Sequence, residues 1–273
     1  AATLISPTDG NIRYMGRFDT TNPEAPRMYW SGSHFIAWFT GDRIGVKLNS
    51  QRGDEFFNII IDDTKVEKHA LKKGSQTITL AGLGDGEHKI EVFKRTSFQK
   101  DNTAFEGFVV DEVTELVPLK PAPKYKIEFY GDSITDGHSV DANGDNKKTE
   151  FWNNYMTYAA RTARALDMQY VCIASSGIAV EYGWTSEHLM KNYYDLVNPG
   201  QSKPIKWDFT GYTPDVVVVN LFQNDAFKKP HPHSTIVKQQ IIGSYKQLIT
   251  DLRGKYPQAH IVCVLGNMTA CNK

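Results

Sequence analysis

Three short polar segments could carry chemistry, and each follows a run of apolar residues that reads as a buried strand. The first is Gly131-Asp132-Ser133, where a tight turn can project the serine hydroxyl and its own backbone N–H. The second contains Gly177, which lacks a Cβ, so its N–H can approach a substrate oxygen closely. The third contains Asn224, whose side-chain amide is a further donor. A serine with three convergent donors indicates acyl transfer through an oxyanion hole.

The elements that must position these segments follow a strand–helix alternation. This alternation predicts a doubly wound, flavodoxin-like α/β domain, in which active sites lie beyond the carboxyl ends of the strands. The helical stripe from 149 to 166 has three-and-four spacing, and Ser234 is a predicted N-cap for a second helix. Strands are predicted at 125–130, 168–174, 215–221 and 260–265.

The N-terminal part has a different pattern, with short aromatic and β-branched runs between turns rich in glycine and aspartate. This pattern predicts an antiparallel β-sandwich of jelly-roll type over residues 1–116. Three prolines within Val117–Pro123 predict an extended linker at 117–124. The α/β domain then occupies residues 125–273.

The polar segments carry a family resemblance. Gly131-Asp132-Ser133, Gly177 and Asn224-Asp225, in this order, resemble the first three blocks of the SGNH (GDSL-type) hydrolases. Together with the N-terminal sandwich, the layout resembles carbohydrate esterase family two, whose members remove acetyl groups from plant polysaccharides. The resemblance covers essentially the whole chain. It implies that Ser133 is the nucleophile and that its N–H, the Gly177 N–H and the Asn224 amide form the oxyanion hole.

One departure from the family pattern concerns the third block, which is usually Gly-x-Asn-Asp. Here Phe222 stands in place of the glycine, which bears on the shape of the pocket floor. Tyr182 and Trp184 follow the second segment closely enough to line the cleft. Their rings suit the apolar faces of sugars, and a packing role for them remains open.

A base must accept the serine proton, and in the family this base is a histidine near the C-terminus, often in Asp-x-x-His. No histidine of this sequence fits that pattern in the hydrolase domain. His88 matches these letters but precedes the hydrolase domain, and His138 lies on the serine's own loop. His231 and His233 stand between prolines and more often belong to an exposed loop than to a metal site. His260 begins a predicted buried strand at the wrong end of the sheet. We therefore expect the catalytic histidine to lie outside this chain.

The same reasoning predicts that the α/β domain is truncated, because a further helix, a last strand and the loop bearing the base are expected after Met268. Either a missing C-terminal segment or a second chain would then complete the sheet, and the chain by itself should be weakly active or inactive. The opening Ala1-Ala2-Thr3 predicts a mature N-terminus, and with it a secreted or periplasmic protein whose signal peptide has been removed.

Composition excludes several classes of protein. Lys plus Arg and Asp plus Glu each number 31, and this balance argues against a sequence-independent nucleic-acid binder. No apolar run approaches the roughly 18 residues of a membrane span. Three cysteines cannot make a disulfide framework, and Cys172 and Cys263 are predicted to be buried strand residues.

The sequence thus predicts a serine esterase acting on acetylated polysaccharides or oligosaccharides, with no cofactor and no metal. Two alternatives remain open. A lipid acyl esterase or thioesterase on the same fold would have a long apolar acyl groove. A non-catalytic glycan-binding protein is the alternative if the natural chain ends at Lys273.

Overall fold

The N-terminal half consists of two antiparallel sheets in the computed structural model, which describes residues 1–112, 115–229 and 234–266. Their strands are β1 (Ala2–Ile5), β2 (Arg13–Met15), β3 (Phe18–Asp19), β4 (Arg27–Met28), β5 (His34–Thr40), β6 (Ile44–Ser50), β7 (Glu55–Ile61), β8 (Lys65–Leu71), β9 (Gly74–Leu80), β10 (Glu87–Lys94), β11 (Thr103–Asp111) and β12 (Leu116–Val117). The first six-stranded sheet has the order β3-β4-β11-β6-β9 with β1 beside β11, and the second has the order β12-β5-β10-β7-β8 with β2 beside β5.

One apolar core joins these two sheets. Alternate residues of β6, Val46 and Leu48, pack in the same cluster as Phe35 and Phe39 of β5, which belongs to the other sheet. Period-two alternation places such residues on one face of a strand, and here that face is buried. The structure therefore agrees with the predicted pair of packed antiparallel sheets. Val117, the first residue of the predicted linker, pairs with Trp38 in the second sheet.

The second half contains a four-stranded parallel sheet, made of β13 (Tyr125–Gly131), β14 (Met168–Ala174), β15 (Val216–Asn220) and β16 (His260–Val264). The strand order is β14-β13-β15-β16. Gly131 at the end of β13 is level with Ala174 of β14 and with Asn220 of β15, so these three strands end at the same edge. The helices are α1 (Ser133–Asp136), α2 (Tyr158–Ala165), α3 (Gln223–Lys228) and α4 (Thr235–Lys255). Within the described ranges, no helix is long and apolar enough to cross a bilayer.

The two predicted helices fare differently. Ser234 caps α4 as predicted, because its Oγ accepts a hydrogen bond from Val237 N at 3.2 Å. The predicted helix from 149 to 166 is wrong in its first half, which forms two 3₁₀ segments. The α-helix begins only at Tyr158, because Thr157 is extended and caps it through Oγ1, which accepts from Ala160 N. Upstream, the Asn154 amide donates to the Thr135 and Asp136 carbonyls instead of facing solvent.

Strand β16 also differs from the prediction, because it lies at the edge of the sheet. Cys263 is exposed there, whereas Cys172 in the interior strand β14 is buried as predicted. Val262 retains 44% of its side-chain exposure, and His260 at the start of the strand is exposed too. The prediction of a buried strand at 260–265 was therefore wrong, since apolar composition alone does not show which strand is at an edge.

Buried polar contacts join the two halves. The Arg17 guanidinium lies 3.7 Å from the Glu128 carboxylate, and both side chains are fully buried. Arg95, directly after β10, donates to Asp141 at 2.5 Å and to the Trp152 carbonyl. Charges inside a protein must be paired, so the packing of the sandwich on the α/β half is specified by these partners.

Candidate active site

Ser133 is the first residue of α1, directly after β13. Asp132 caps this turn, since its Oδ1 accepts from Ile134 N at 3.0 Å. Only glycine fits at position 131, because a Cβ there would overlap the Thr135 side chain. Ser133 is half-buried, and its hydroxyl and N–H make no hydrogen bond to any other described residue. The hydroxyl is therefore free to meet a substrate.

Gly177 occupies the third position of a turn closed by a hydrogen bond from Ile178 N to Ser175 O at 3.2 Å. Its φ of +84° suits this position in a type II turn, where glycine is preferred. A Cβ would also lie 3.2 Å from Trp184 Cδ1. The Gly177 N–H has no acceptor among the described residues, so it remains available as a donor.

Asn224 stands in the first turn of α3 with its amide held at both ends. Its Nδ2 donates to Ile178 O at 2.9 Å, and its Oδ1 accepts from Trp184 Nε1 at 3.2 Å. An amide nitrogen carries two hydrogens, so one donor remains for a further partner. The Trp184 indole thus orients this amide, a role that the sequence did not indicate.

Direct hydrogen bonds bring the three segments together. Ser175 N donates to Gly131 O at 3.2 Å, which joins the second segment to the first. Gln223 Nε2 donates to Asp132 Oδ2 at 2.6 Å, which joins the third segment to the first. The bond from Asn224 to Ile178 O joins the third to the second. The predicted residues therefore lie around one edge of the sheet, as their positions after the strands require.

Two aspartates flank the serine, and both are fully buried. Burial raises the pKa of Asp132 to about 7, although the Ile134 N–H and the Gln223 amide oppose this rise. Burial raises the pKa of Asp136 to about 6, against hydrogen bonds from the Ser31 hydroxyl and the Ser176 N–H. The two carboxyls also hold the turn in place, because they accept hydrogen bonds from Gln223 of α3, from Ser31 of the sandwich and from Ser176 after β14.

Asp225 fixes the loop that carries the two aromatic candidates. Its carboxylate accepts from the backbone N–H groups of Val180, Glu181 and Tyr182 at 3.0, 2.8 and 2.8 Å. Burial raises the pKa of Asp225, while the three N–H donors act to lower it. The acidic residue of the Asn224-Asp225 pair thus ties the loop after β14 to helix α3.

Tyr182 and Trp184 both lie beside this loop, but a lysine covers one face of each ring. Lys228 Nζ is 4.8 Å from the centre of the Trp184 ring, and Lys229 Nζ is 4.8 Å from the centre of the Tyr182 ring. The Tyr182 hydroxyl donates to Gln240. Trp184 is 54% exposed, so its other face can still meet a ligand. Sugar stacking by these rings stays a prediction.

Phe222 replaces the glycine of the third block and keeps the backbone conformation that glycine favours. Its φ is +100°, a left-handed conformation that favours glycine, the residue which the family pattern has at this position. The side chain lines an apolar cavity of 430 Å³ with Leu221, Ile241 and Tyr245. A bulky residue therefore adopts the glycine conformation here, and it forms part of the wall of this cavity.

No histidine of the described ranges bonds to the Ser133 hydroxyl. His88 lies in β10 and bonds to Asp62 and the Gly84 carbonyl, while His138 Nε2 is 2.8 Å from Asp145 Oδ1. His231 and His233 lie outside the described residues. The location of the base, expected beyond this chain, stays a prediction.

Sequence reasoning missed several residues that support the site. His188 Nε2 lies 2.8 Å from Ser175 Oγ, beside the Gly177 turn, and burial lowers the pKa of His188. Gln223, the variable residue of the third block, links Asp132 to the Asn220 side chain. The only signal for either residue was its closeness in sequence to a named segment, because the His188 contact depends on how the loop after β14 folds back and the Gln223 contact joins the ends of two strands.

Comparison with known proteins identifies the family. Residues 14–123 match the carbohydrate esterase 2 N-terminal family, and residues 129–272 match the GDSL-like lipase/acylhydrolase family. Cellulase/esterase CelE of Acetivibrio thermocellus is 35% identical over 272 residues, which are 96% of this chain but 32% of that protein. An acetylxylan esterase/glucomannan deacetylase of Cellvibrio japonicus is 26% identical, over 96% of this chain and 73% of its own length. The chain therefore spans about a third of CelE.

Solved structures agree. The family two carbohydrate esterase from Clostridium thermocellum, determined in complex with cellohexaose, has a TM-score of 0.85 and 32% identity to this chain. The match covers 94% of this chain and 78% of that one. A family two carbohydrate esterase from Cellvibrio japonicus has a TM-score of 0.88 at 23% identity, over 99% of this chain and 82% of that one. The resemblance predicted from the sequence is confirmed: this chain belongs to carbohydrate esterase family two and carries its N-terminal and GDSL-like domains.

Proposed function

We propose that the protein is a serine esterase that removes O-acetyl groups from plant polysaccharides such as xylan or glucomannan. The observation that carries this proposal is the meeting of Ser133, Gly177 and Asn224 at one edge of the parallel sheet. The names of the relatives support the substrate class, since one is an acetylxylan esterase/glucomannan deacetylase.

The reaction follows from the positions of the donors. Ser133 Oγ attacks the acetyl carbonyl carbon and gives its proton to a base, for which the family resemblance implies a histidine. The carbonyl oxygen becomes an oxyanion, which the Ser133 N–H, the Gly177 N–H and the Asn224 amide stabilise. Collapse of this intermediate breaks the bond to the sugar oxygen, which takes the proton. Water then hydrolyses the acetyl-serine in the same way and releases acetate.

The free hydrogen-bonding capacity of the site supports this mechanism. Within the described ranges, neither the Ser133 N–H nor the Gly177 N–H has an acceptor. The Asn224 amide has one hydrogen left after its bond to Ile178 O. Preorganised donors stabilise the transition state because they need no reorganisation when charge develops.

We propose that Tyr182 and Trp184 bind the sugar. Support comes from their position beside the donors and from the relative that was determined with cellohexaose. We further propose that the protein is exported, because a polymeric plant substrate would be met outside the cell.

Two finer points of architecture belong with this proposal. The strand order β4-β11-β6-β9 in one sheet and β5-β10-β7-β8 in the other supports a jelly roll. In a jelly roll, the chain passes between two four-stranded sheets in this order. We also propose that further polypeptide, either a second chain or chain beyond Lys273, covers the edge at β16. The exposure of Val262 and Leu265, 44% and 47%, supports this cover.

Substitution of the nucleophile tests the function in the full-length protein. Ser133→Ala should abolish release of acetate from acetylated xylan and glucomannan, whereas Ser75→Ala, on the sandwich, should leave it unchanged. Acetyl esters should be cleaved faster than octanoyl esters; the opposite preference would support the lipid alternative. Wild-type activity in Ser133→Ala would refute the proposal, and glycan binding without hydrolysis by the wild type would favour the non-catalytic alternative.

A further inference from the structure

One side chain of the sandwich holds both ends of Ser176, the residue before the proposed oxyanion donor. Gln99 Nε2 donates to Ser176 O at 3.0 Å, and Gln99 Oε1 accepts from Ser176 N at 3.0 Å. Gln99 lies between β10 and β11, and 77 residues separate it from Ser176 in the chain. A primary amide that pairs with one N–H and one C=O imitates the hydrogen bonding of a neighbouring strand.

This contact determines where the Gly177 N–H points. The C=O of Ser176 and the N–H of Gly177 belong to the same planar trans peptide, so they project in opposite directions. Because Gln99 holds the Ser176 carbonyl, the Gly177 N–H faces away from the sandwich. In a turn with glycine at the third position, a flip of this central peptide interconverts two common turn types at small cost. Without a partner for the carbonyl, the N–H would therefore lack a fixed direction.

The orientation of Gln99 is itself determined by its neighbours. Ser97 Oγ donates to Gln99 Oε1 at 3.2 Å and accepts from Gln99 N at 3.2 Å. The Ser176 N–H also reaches Asp136 Oδ2 at 3.2 Å, and Ser31 of the sandwich donates to the other oxygen of Asp136. Every donor around Gln99 Oε1 requires the oxygen at that place, so the amide has one consistent orientation.

We propose that Gln99 is a positioning residue for catalysis, which orients the Ser176–Gly177 peptide so that the Gly177 N–H stabilises the oxyanion. This inference rests on the proposed esterase function and deepens it. The N-terminal sandwich then contributes to transition-state stabilisation through this peptide, although none of its residues is assigned to the reaction. The effect should appear in kcat, because the oxyanion forms only after the substrate has bound.

Kinetics of three variants of the full-length protein test the proposal, with 4-nitrophenyl acetate as substrate. Gln99→Ala removes the amide, and Gln99→Met keeps the side-chain length but cannot pair with Ser176. Both should lower kcat by about 10- to 100-fold with little change in KM, which is less than the about 100- to 1,000-fold loss for a deleted donor. Gln51→Ala is the matched control, since Gln51 is an exposed glutamine of the sandwich whose side chain bonds to no described residue. It should keep the wild-type kcat.

A readout independent of activity separates this proposal from the proposed function. Crystal structures of wild type and Gln99→Ala should show the Ser176–Gly177 peptide in one orientation in the first, and flipped or in two orientations in the second. An unchanged peptide in Gln99→Ala, or a wild-type kcat in both Gln99 variants of an active enzyme, overturns the positioning role. An inactive wild type overturns the esterase function instead, and the peptide orientation still decides whether Gln99 positions this turn.

Discussion

The two sides of the candidate site differ in how they are held. On the side of the sandwich, Asp136 is fully buried and accepts hydrogen bonds from Ser31 and Ser176. On the side of α3 and α4, the loop with Trp184 meets solvent, and lysines lie over its aromatic rings. Hydrogen bonds in a dry environment are stronger and more costly to break than contacts in water.

This difference indicates that the two sides of the site have separate roles. The buried side fixes Ser133, the proposed nucleophile, and the Gly177 turn, which the proposed reaction needs in one geometry. The exposed side carries the aromatic rings and charged groups that we propose to meet the sugar. Asn224 is the exception, because it lies on the exposed side but has a proposed role in the chemistry. Its substitution therefore tests the comparison most strongly.

Asn224→Ala should therefore have the largest effect. It removes a proposed oxyanion donor, and the loss of such a donor typically costs about 100- to 1,000-fold in kcat. Trp184→Phe is the matched control, since it removes only the donor to Asn224 Oδ1 and keeps an aromatic ring. We expect that control to lose less than about tenfold. Equal losses in the two variants, measured as acetate release, would mean that the indole acts on the chemistry as strongly as the amide.

Asp136→Ala tests the buried side. The Ser31 hydroxyl would lose its buried acceptor, at about 1–3 kcal/mol, whereas the Ser176 N–H would lose one of two acceptors and keep Gln99 Oε1. We expect the free energy of unfolding to fall by about 1–3 kcal/mol in urea titrations. The exposed Asp145 pairs with His138, and its replacement by alanine should leave stability nearly unchanged. A stability loss in Asp145→Ala that matches Asp136→Ala would contradict the contrast between the two sides.

The dependence of stability on pH sharpens the same contrast. Burial raises the pKa of Asp132 to about 7 and that of Asp136 to about 6, whereas the pKa of both groups is about 4 in an unfolded chain. Between these values the folded protein binds more protons than the unfolded one, so stability should fall as the pH rises from about 4 to about 7. Asp132→Asn should flatten this slope in thermal unfolding curves. An unaltered slope would show that Asp132 does not contribute.

The smallest effect is expected at Phe222, whose φ is +100°. Phe222→Ala and Phe222→Gly remove the same ring, but only glycine accepts this conformation without strain. The glycine variant should therefore be more stable than the alanine variant by about 1 kcal/mol, measured by chemical denaturation. If alanine were the more stable of the two, the left-handed conformation would not be imposed by the surrounding fold.

Local signals predicted much of this molecule. The Ser234 cap and the positions of Ser133, Gly177 and Asn224 after their strands follow from patterns within a few residues. The interrupted helix before Tyr158 could not be predicted, because Asn154 is drawn into a network with distant carbonyls. Cys263 was assigned to a buried strand because strand order, which makes β16 an edge, is not encoded locally. The contact of Gln99 could not be predicted either, since its partner Ser176 lies 77 residues away in the other half of the chain.

The buried pair of Arg17 and Glu128 bears on how such proteins diversify. The acid belongs to the parallel sheet and its cation to the sandwich, and burial alone raises the pKa of the Glu128 carboxyl, against the opposing effect of Arg17. A recombinant in which the sandwich is exchanged for an unrelated module would leave this acid unneutralised in the interior. This ion pair therefore limits which modules could replace the sandwich without a second change at Glu128.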